Sequence, residues 1–137
     1  NGNVTYRVER LNASTAYDFR IQGFNFKGNT PVYSKWSYIS GKTNPNNVSG
    51  FRIGGTAKDA LRVNWNKNTT ASGYIIEQYK GGKWYRIARL EGNAVTTYRV
   101  EHLQAATNYI FRISAFGFDG NTPLYSNTAV TAGTTQS

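Results

Sequence analysis

Residues Thr97 to Ser126 read TYRVEHLQAATNYIFRISAFGFDGNTPLYS, and residues Thr5 to Ser34 read TYRVERLNASTAYDFRIQGFNFKGNTPVYS. The two stretches align at a constant offset of 92 residues without a gap. A period of that length is a whole domain, not a solenoid unit of roughly 20–50 residues. Within each copy the apolar residues alternate. Tyr17, Phe19 and Ile21 fall on one face, with Asp18, Arg20 and Gln22 on the other. Tyr109, Phe111, Ile113 and Ala115 repeat the pattern. A period of two is the mark of a half-buried strand.

Working outward, alternation predicts strands over Val4 to Leu11, Ala16 to Phe26 and Tyr33 to Ser40 in the first copy. In the second they fall at Val48–Ile53, Ala60–Trp65, Tyr74–Tyr79, Trp84–Leu90, Thr96–Val100, Asn108–Phe118 and Tyr125–Ala132. Lys80-Gly81-Gly82-Lys83 is a hairpin turn, because two glycines supply the positive φ that tight turns need. Lys27-Gly28-Asn29-Thr30-Pro31 reads as a loop by its breakers. KTNPNN, Lys42 to Asn47, connects the copies. No helical period persists for three turns. The expected fold is all-β: a seven-stranded antiparallel sandwich over residues 48–134, preceded by a three-stranded partial module over 1–43, with a linker at 44–47 and a tail at 135–137.

Several residues of the second unit together resemble the fibronectin type III family. Trp65 ends the second strand, where that family has a core tryptophan. Tyr74-Ile75-Ile76-Glu77 is similar to its G-Y-x-V-E run, and Tyr109-Phe111-Ile113-Ala115 to its Y-x-F-x-V-x-A strand. Leu103 and Tyr109 match the leucine and tyrosine that flank the turn before the sixth strand, and Gly120, Pro123 and Ser126 fit the last loop. The resemblance implies an immunoglobulin-like sandwich whose core contains Trp65, Tyr74, Ile76, Leu103, Tyr109, Phe111 and Ile113. It also implies that the Tyr109 hydroxyl returns to the backbone a few residues upstream. The first unit matches only the last three strands. Tyr6, Val8, Leu11, Tyr17, Phe19 and Ile21 would then face a sheet this unit does not contain. Two explanations stand: a module cut within its length, or one completed by another copy or partner.

Composition narrows function mainly by exclusion. The 137 residues contain no Cys, which removes disulfides, thiolate metal sites and a cysteine nucleophile. The chain starts at Asn1 and contains no Met, and it reads as a mature product or an excised piece. No apolar run reaches the roughly 20 residues of a membrane helix. His102 is the only histidine and reads as a surface residue; no nucleophile, zinc or phosphate-loop motif is present. The seven acids fall on wet strand faces or in turns, so paired-carboxylate chemistry is not expected. Asp119 with Asn121 is too thin an oxygen set for calcium, and Lys27 replaces the acid in the first copy. The expectation is no enzyme, no cofactor and no metal.

Sixteen Lys and Arg against seven acids give a net charge of +9. That balance fits either a basic soluble surface or an anionic partner. Phe116 and its counterpart Phe24 fall on the outward strand face. Phe118 with Phe26, and Tyr125 with Tyr33, flank the GNTP stretch. These clusters either stack on a ligand such as sugar rings or pack the domain end and a neighbouring module. Arg99 and Arg112 lie on outward faces. Tyr33-Ser34-Lys35-Trp36-Ser37 resembles the WSxWS box of cytokine receptors, in which tryptophans stack with arginines. The second copy has Tyr125-Ser126-Asn127-Thr128-Ala129 instead, so the box reads as variation of the last strand. Glycosylation sequons begin at Asn3, Asn12, Asn47 and Asn68. The resulting expectation is an extracellular, secreted or cell-surface spacer or adhesion module of bacterial character. Its partners are neighbouring modules of the same or another chain. Two alternatives accompany it: a module binding a carbohydrate or anionic polymer, and a self-assembling module completed by strand exchange. Neither specific nucleic-acid recognition nor membrane insertion is expected.

Overall fold

The computed structural model describes residues 4–137, so the polar lead and the first sequon's Asn3 lie outside the described residues. The described residues form twelve strands and no helix. The first unit holds β1 (Ala16–Ile21), β2 (Phe24–Lys27), β3 (Thr30–Tyr33) and β4 (Ser37–Lys42). The second holds β5 (Arg52–Thr56), β6 (Leu61–Asn64), β7 (Gly73–Lys80), β8 (Lys83–Glu91), β9 (Thr97–Val100), β10 (Asn108–Asp119), β11 (Thr122–Tyr125) and β12 (Ala129–Thr134).

In the second unit one sheet runs β5-β6-β9. The other runs β11-β10-β7-β8, with β12 also on β10, and every pairing is antiparallel. The core lies between the sheets. Leu61, Val63 and Trp65 on one side meet Tyr74, Ile76, Phe111, Ile113 and Ala115 on the other, all buried. Leu103 and Tyr109 pack half-buried against this cluster. The alternation Leu61-Val63-Trp65 against Arg62-Asn64 sends every second side chain inward, which is how a strand covers one face only. The Tyr109 hydroxyl accepts a hydrogen bond from the Gln104 backbone N–H at 2.9 Å. This bond pins the crossover between the sheets. The first unit repeats the bond, from Asn12 N–H to Tyr17 at 2.9 Å.

Three expectations about the ends of the strands are corrected. First, the GNTP stretches are not long loops. Each is a two-residue hairpin turn with Gly28 or Gly120 at φ 64° or 61°, and the strand resumes at Thr30 or Thr122. Proline fits there because β3 and β11 are edge strands, where no ladder donor is missed. Second, the expected Tyr33–Ser40 and Tyr125–Ala132 strands each divide in two. Ser34 and Ser126 turn the chain by accepting the N–H of Gly23 (2.8 Å) and of Ala115 (2.9 Å) on their hydroxyls. Third, the tail is engaged. Thr135 is buried, and Gln136 N–H donates to Ala57 at 2.9 Å.

The first unit departs further. Val4 to Leu11 forms no strand. Its counterpart β9 pairs only with β6, and the first unit has no strand equivalent to β6. An extended segment without a ladder partner leaves its backbone groups to water. The expected Ala16–Phe26 strand also breaks, at Gln22-Gly23, whereas β10 runs unbroken for twelve residues. Strand β10 is held by β7 along its far side, while β1 pairs with β4 alone. Gly23 also stands where the second unit has Ala115, and glycine weakens a strand interior.

Candidate functional site

The aromatic and basic positions singled out by sequence separate into three sets. Phe116 does point away from the Phe111–Ile113 face, but it is not a free surface. It is only 1% exposed. It lies across Gly73 on β7, where an alanine Cβ would come within 2.5 Å of the ring and also strike the Leu90 carbonyl. The Arg89 guanidinium covers it at 4.4 Å, and Phe118 meets its edge at 5.7 Å. Parity along the strand gives the face correctly; the notch made by a neighbouring glycine decides the burial.

The arginines are engaged as well. Arg112 donates to Glu77 at 2.5 Å and stacks on Trp84 at 4.4 Å. Arg99 is held by Glu101 at 3.0 Å. Arg20, the counterpart of Arg112, stacks on Trp36 at 4.0 Å, so the box-like stretch of the first unit does make one arginine–tryptophan pair. Phe24, Phe26 and Tyr33 are exposed at the GNTP end of the first unit, where Phe24 is 68% accessible against 1% for Phe116.

Phe118 and Tyr125 stand at the end of the second unit that meets the first. There the Lys42 ammonium donates to the Phe118 carbonyl at 2.9 Å. The Ser14 hydroxyl donates to the Thr70 carbonyl. Ser14 also lies against Gly117, as does Pro45, which is buried despite its place in the expected linker. Asn68 fastens the connection from below. Its amide donates to the Asn46 carbonyl at 2.7 Å, while the Thr70 hydroxyl accepts the Asn46 N–H at 2.9 Å. Asn47 Oδ1 accepts the Asn127 N–H at 2.9 Å. The sequon at Asn68 is therefore taken up by structure, since its side chain is buried and bonded.

This joint is the site where the structure brings separated residues together. Sequence reasoning missed Ser14, Lys42, Pro45 and Thr70 because connecting segments carry no periodicity. One signal was present. Ser14 and Lys42 correspond to Ala106 and Thr134 in the second copy, so the two side-chain donors that the first unit brings to the joint are changes between otherwise similar repeats. Among the described residues no group of three or more His, Asp and Glu is placed to hold a metal ion. Among the same residues no helix is long and apolar enough to cross a membrane.

Comparison with known proteins agrees with this geometry. The crystal structure of FN3tt superposes with a TM-score of 0.56 at 24% identity, covering 67% of this chain and 95% of that one. The solution structure of the fibronectin type-III domain of human fibronectin type III domain containing protein 3 gives 0.53 at 18% identity, covering 71% and 92%. At such identities these matches show the fold alone. Receptor-type tyrosine-protein phosphatase eta of Mus musculus is 32% identical over 117 residues, 85% of this chain and 9% of that protein. Fibronectin type-III domain-containing protein 3A of Homo sapiens is 27% identical over 115 residues, 81% and 10%. The chain thus spans about a tenth of the curated relatives it matches. Fibronectin type III domains are generally non-catalytic modules of multidomain proteins. The model of the fibronectin type III domain matches residues 44–131, and on that match the chain belongs to the fibronectin type III family.

Proposed function

We propose that this chain is an extracellular spacer or adhesion segment that catalyses nothing and holds successive modules at a set angle. The observation that carries the reading is the joint: Lys42 on the Phe118 carbonyl, Ser14 on the Thr70 carbonyl, and Pro45 buried between the units. A passive string needs only a flexible polar connection. A bonded one fixes pitch, which matters when a stalk must present its end at a distance. Residual dipolar couplings of the full chain test this. A single alignment tensor is expected for β1–β4 and β5–β12. The double variant Ser14→Ala, Lys42→Gln is expected to need two tensors, with the unfolding of the second module unchanged to within about 0.5 kcal/mol, as for surface substitutions generally. Two unrelated tensors in the parent chain would rule out a set angle.

A second reading, self-assembly by strand exchange, is favoured by one feature. The far edge of β1 is unpaired, and Ile21 beside it is 73% exposed while its counterpart Ile113 is fully buried. An open edge with an apolar face is a template for another chain. Light scattering after size exclusion is expected to show a discrete oligomer that disappears when residues 4–43 are deleted. A monomer at all concentrations would remove this reading.

A further inference from the structure

We propose that the tip of the β7–β8 hairpin is a binding site for a linear anionic polysaccharide, with Lys80 and Lys83 clamping one carboxylate or sulfate of the chain. The hairpin turn is Gly81-Gly82, at φ 60° and 85°, and its register sets Lys80 directly opposite Lys83. Directly opposed residues on an antiparallel pair stand roughly 5 Å apart, and like charges there are unfavourable. Further along the same hairpin the charges are balanced. Glu77 faces Arg86 across the strands and bonds Arg112, and Arg89 pairs with Glu91. The ion pairs among the described residues include neither Lys80 nor Lys83. An anion seated between the two ammonium groups converts a repulsion into two charge-assisted hydrogen bonds.

The surroundings fit a sugar chain. A recess beside the two lysines is lined by Gln78, Lys80, Gly81, Lys83, Tyr85 and Ile87. Gln78 and Tyr85 are opposed in register, two pairs inward from the lysines and so on the same strand face, and supply an amide and a phenol for hydroxyl groups. The Tyr85 ring is half exposed and offers an apolar face to a pyranose. Strand β8 is the free edge of its sheet, so the recess opens sideways and an extended polymer can pass through it. Lysines on edge strands also deter strand pairing; β10 pairs with β7 only as far as Gln78, so both lysines stand beyond it at the hairpin tip, where both are exposed.

A nucleic acid fits less well. Duplex binders typically neutralise about six to ten phosphates. Here Glu77 and Glu91 lie on the same hairpin, and Glu101 lines the neighbouring recess with Lys80, so the positive track is short and interrupted.

Amide chemical shifts of the full chain, titrated with heparin oligosaccharides and separately with oligogalacturonate, test the proposal. Shifts are expected to centre on Gln78 to Tyr85, with the two titrations distinguishing sulfate from carboxylate as the preferred group. The double variant Lys80→Gln, Lys83→Gln is expected to weaken binding roughly tenfold or more, from the loss of two charge-assisted bonds. The equally charge-reduced variant Lys27→Gln, Lys35→Gln is expected to stay within about twofold, since screened distant charges contribute little. Three results would overturn the site: no saturable binding of either polymer at low salt, an equal loss in the control variant, or a DNA duplex that binds the same residues more tightly than both polysaccharides.

Discussion

Replacing Trp65 by alanine is expected to lower the stability of the second module by about 3–5 kcal/mol. The side chain is 2% exposed and fills the space between the two sheets. Its ring meets the edge of Tyr74 at 5.4 Å and of Phe51 at 6.4 Å. Tyr74 is itself fixed, accepting the Asn68 N–H and donating to the Asn93 carbonyl, each at 2.9 Å. The rim of the cavity therefore has little freedom to collapse, which places the cost toward the upper end. Domains of this size have only about 5–15 kcal/mol in total. Urea unfolding followed by circular dichroism is expected to show the midpoint falling by on the order of 2 M at unchanged slope. Trp65→Phe separates volume from polarity. The indole Nε1 is buried with no hydrogen-bond partner among the described residues. An unpartnered buried donor carries a penalty of about 1–3 kcal/mol. Removing it offsets part of the lost packing, so Trp65→Phe is expected to cost well under half of Trp65→Ala. Equal losses in the two variants would mean that the indole nitrogen makes a bond in solution.

Why Trp65 was readable in the sequence and Pro45 was not has a physical basis. Strand interiors announce themselves because burial on one face forces a period of two. Leu61, Val63, Trp65 and Phe111, Ile113, Ala115 all obey it, and all are buried. The turn Lys80–Lys83 was readable because two glycines at positive φ have few other uses. Burial on the outer face follows no such period. Phe116 is hidden because Gly73, on another strand, leaves room for its ring and Arg89 reaches over it. That is a three-strand coincidence which no single stretch records. Likewise the joint assembles Ser14 and Thr70 from two turns and Lys42 from the end of β4 through backbone carbonyls, and a carbonyl acceptor leaves no trace in residue identity. The charge of +9 was legible as a total, yet the opposition of Lys80 and Lys83 emerges only from strand register.

The repeat itself yields the prediction with the largest effect. Residue 95 is followed by Thr96, whose counterpart at the 92-residue offset is Val4. A chain in which residues 44–95 are placed directly before residues 4–137 therefore supplies β5–β8 to the first unit without a gap. It is expected to fold as two complete modules. Most local side-chain bonds of the second unit's closing half already exist in the first. The Thr43 hydroxyl donates to the Asn12 carbonyl at 2.6 Å as Thr135 does to Gln104 at 2.5 Å, and Arg7 pairs with Glu9 at 3.1 Å as Arg99 does with Glu101 at 3.0 Å. What the first unit lacks is the facing sheet. Val8 is 43% exposed where Val100 is 6%, and the difference is the absent neighbour. Gly41 is the most telling residue. Its counterpart Gly133 sits under Ile53, where a Cβ would come within 2.7 Å of Cγ1; at Gly41 nothing lies within 4 Å. The glycine that makes room for Ile53 is thus present in a unit that lacks the strand carrying that isoleucine. Arg20 likewise presents itself where Arg112 bonds Glu77, so the added β7 brings its carboxylate. Calorimetry is expected to show a further cooperative transition, with an unfolding enthalpy on the order of 65 kcal/mol at about 0.7 kcal/mol per residue. Hydrogen exchange of Tyr17 to Ile21 is expected to slow to the rates of Tyr109 to Ile113. If those amides stay as fast as in the parent chain, the faces are not complementary, and the first unit's apolar surface must be fitted to a partner of a different shape.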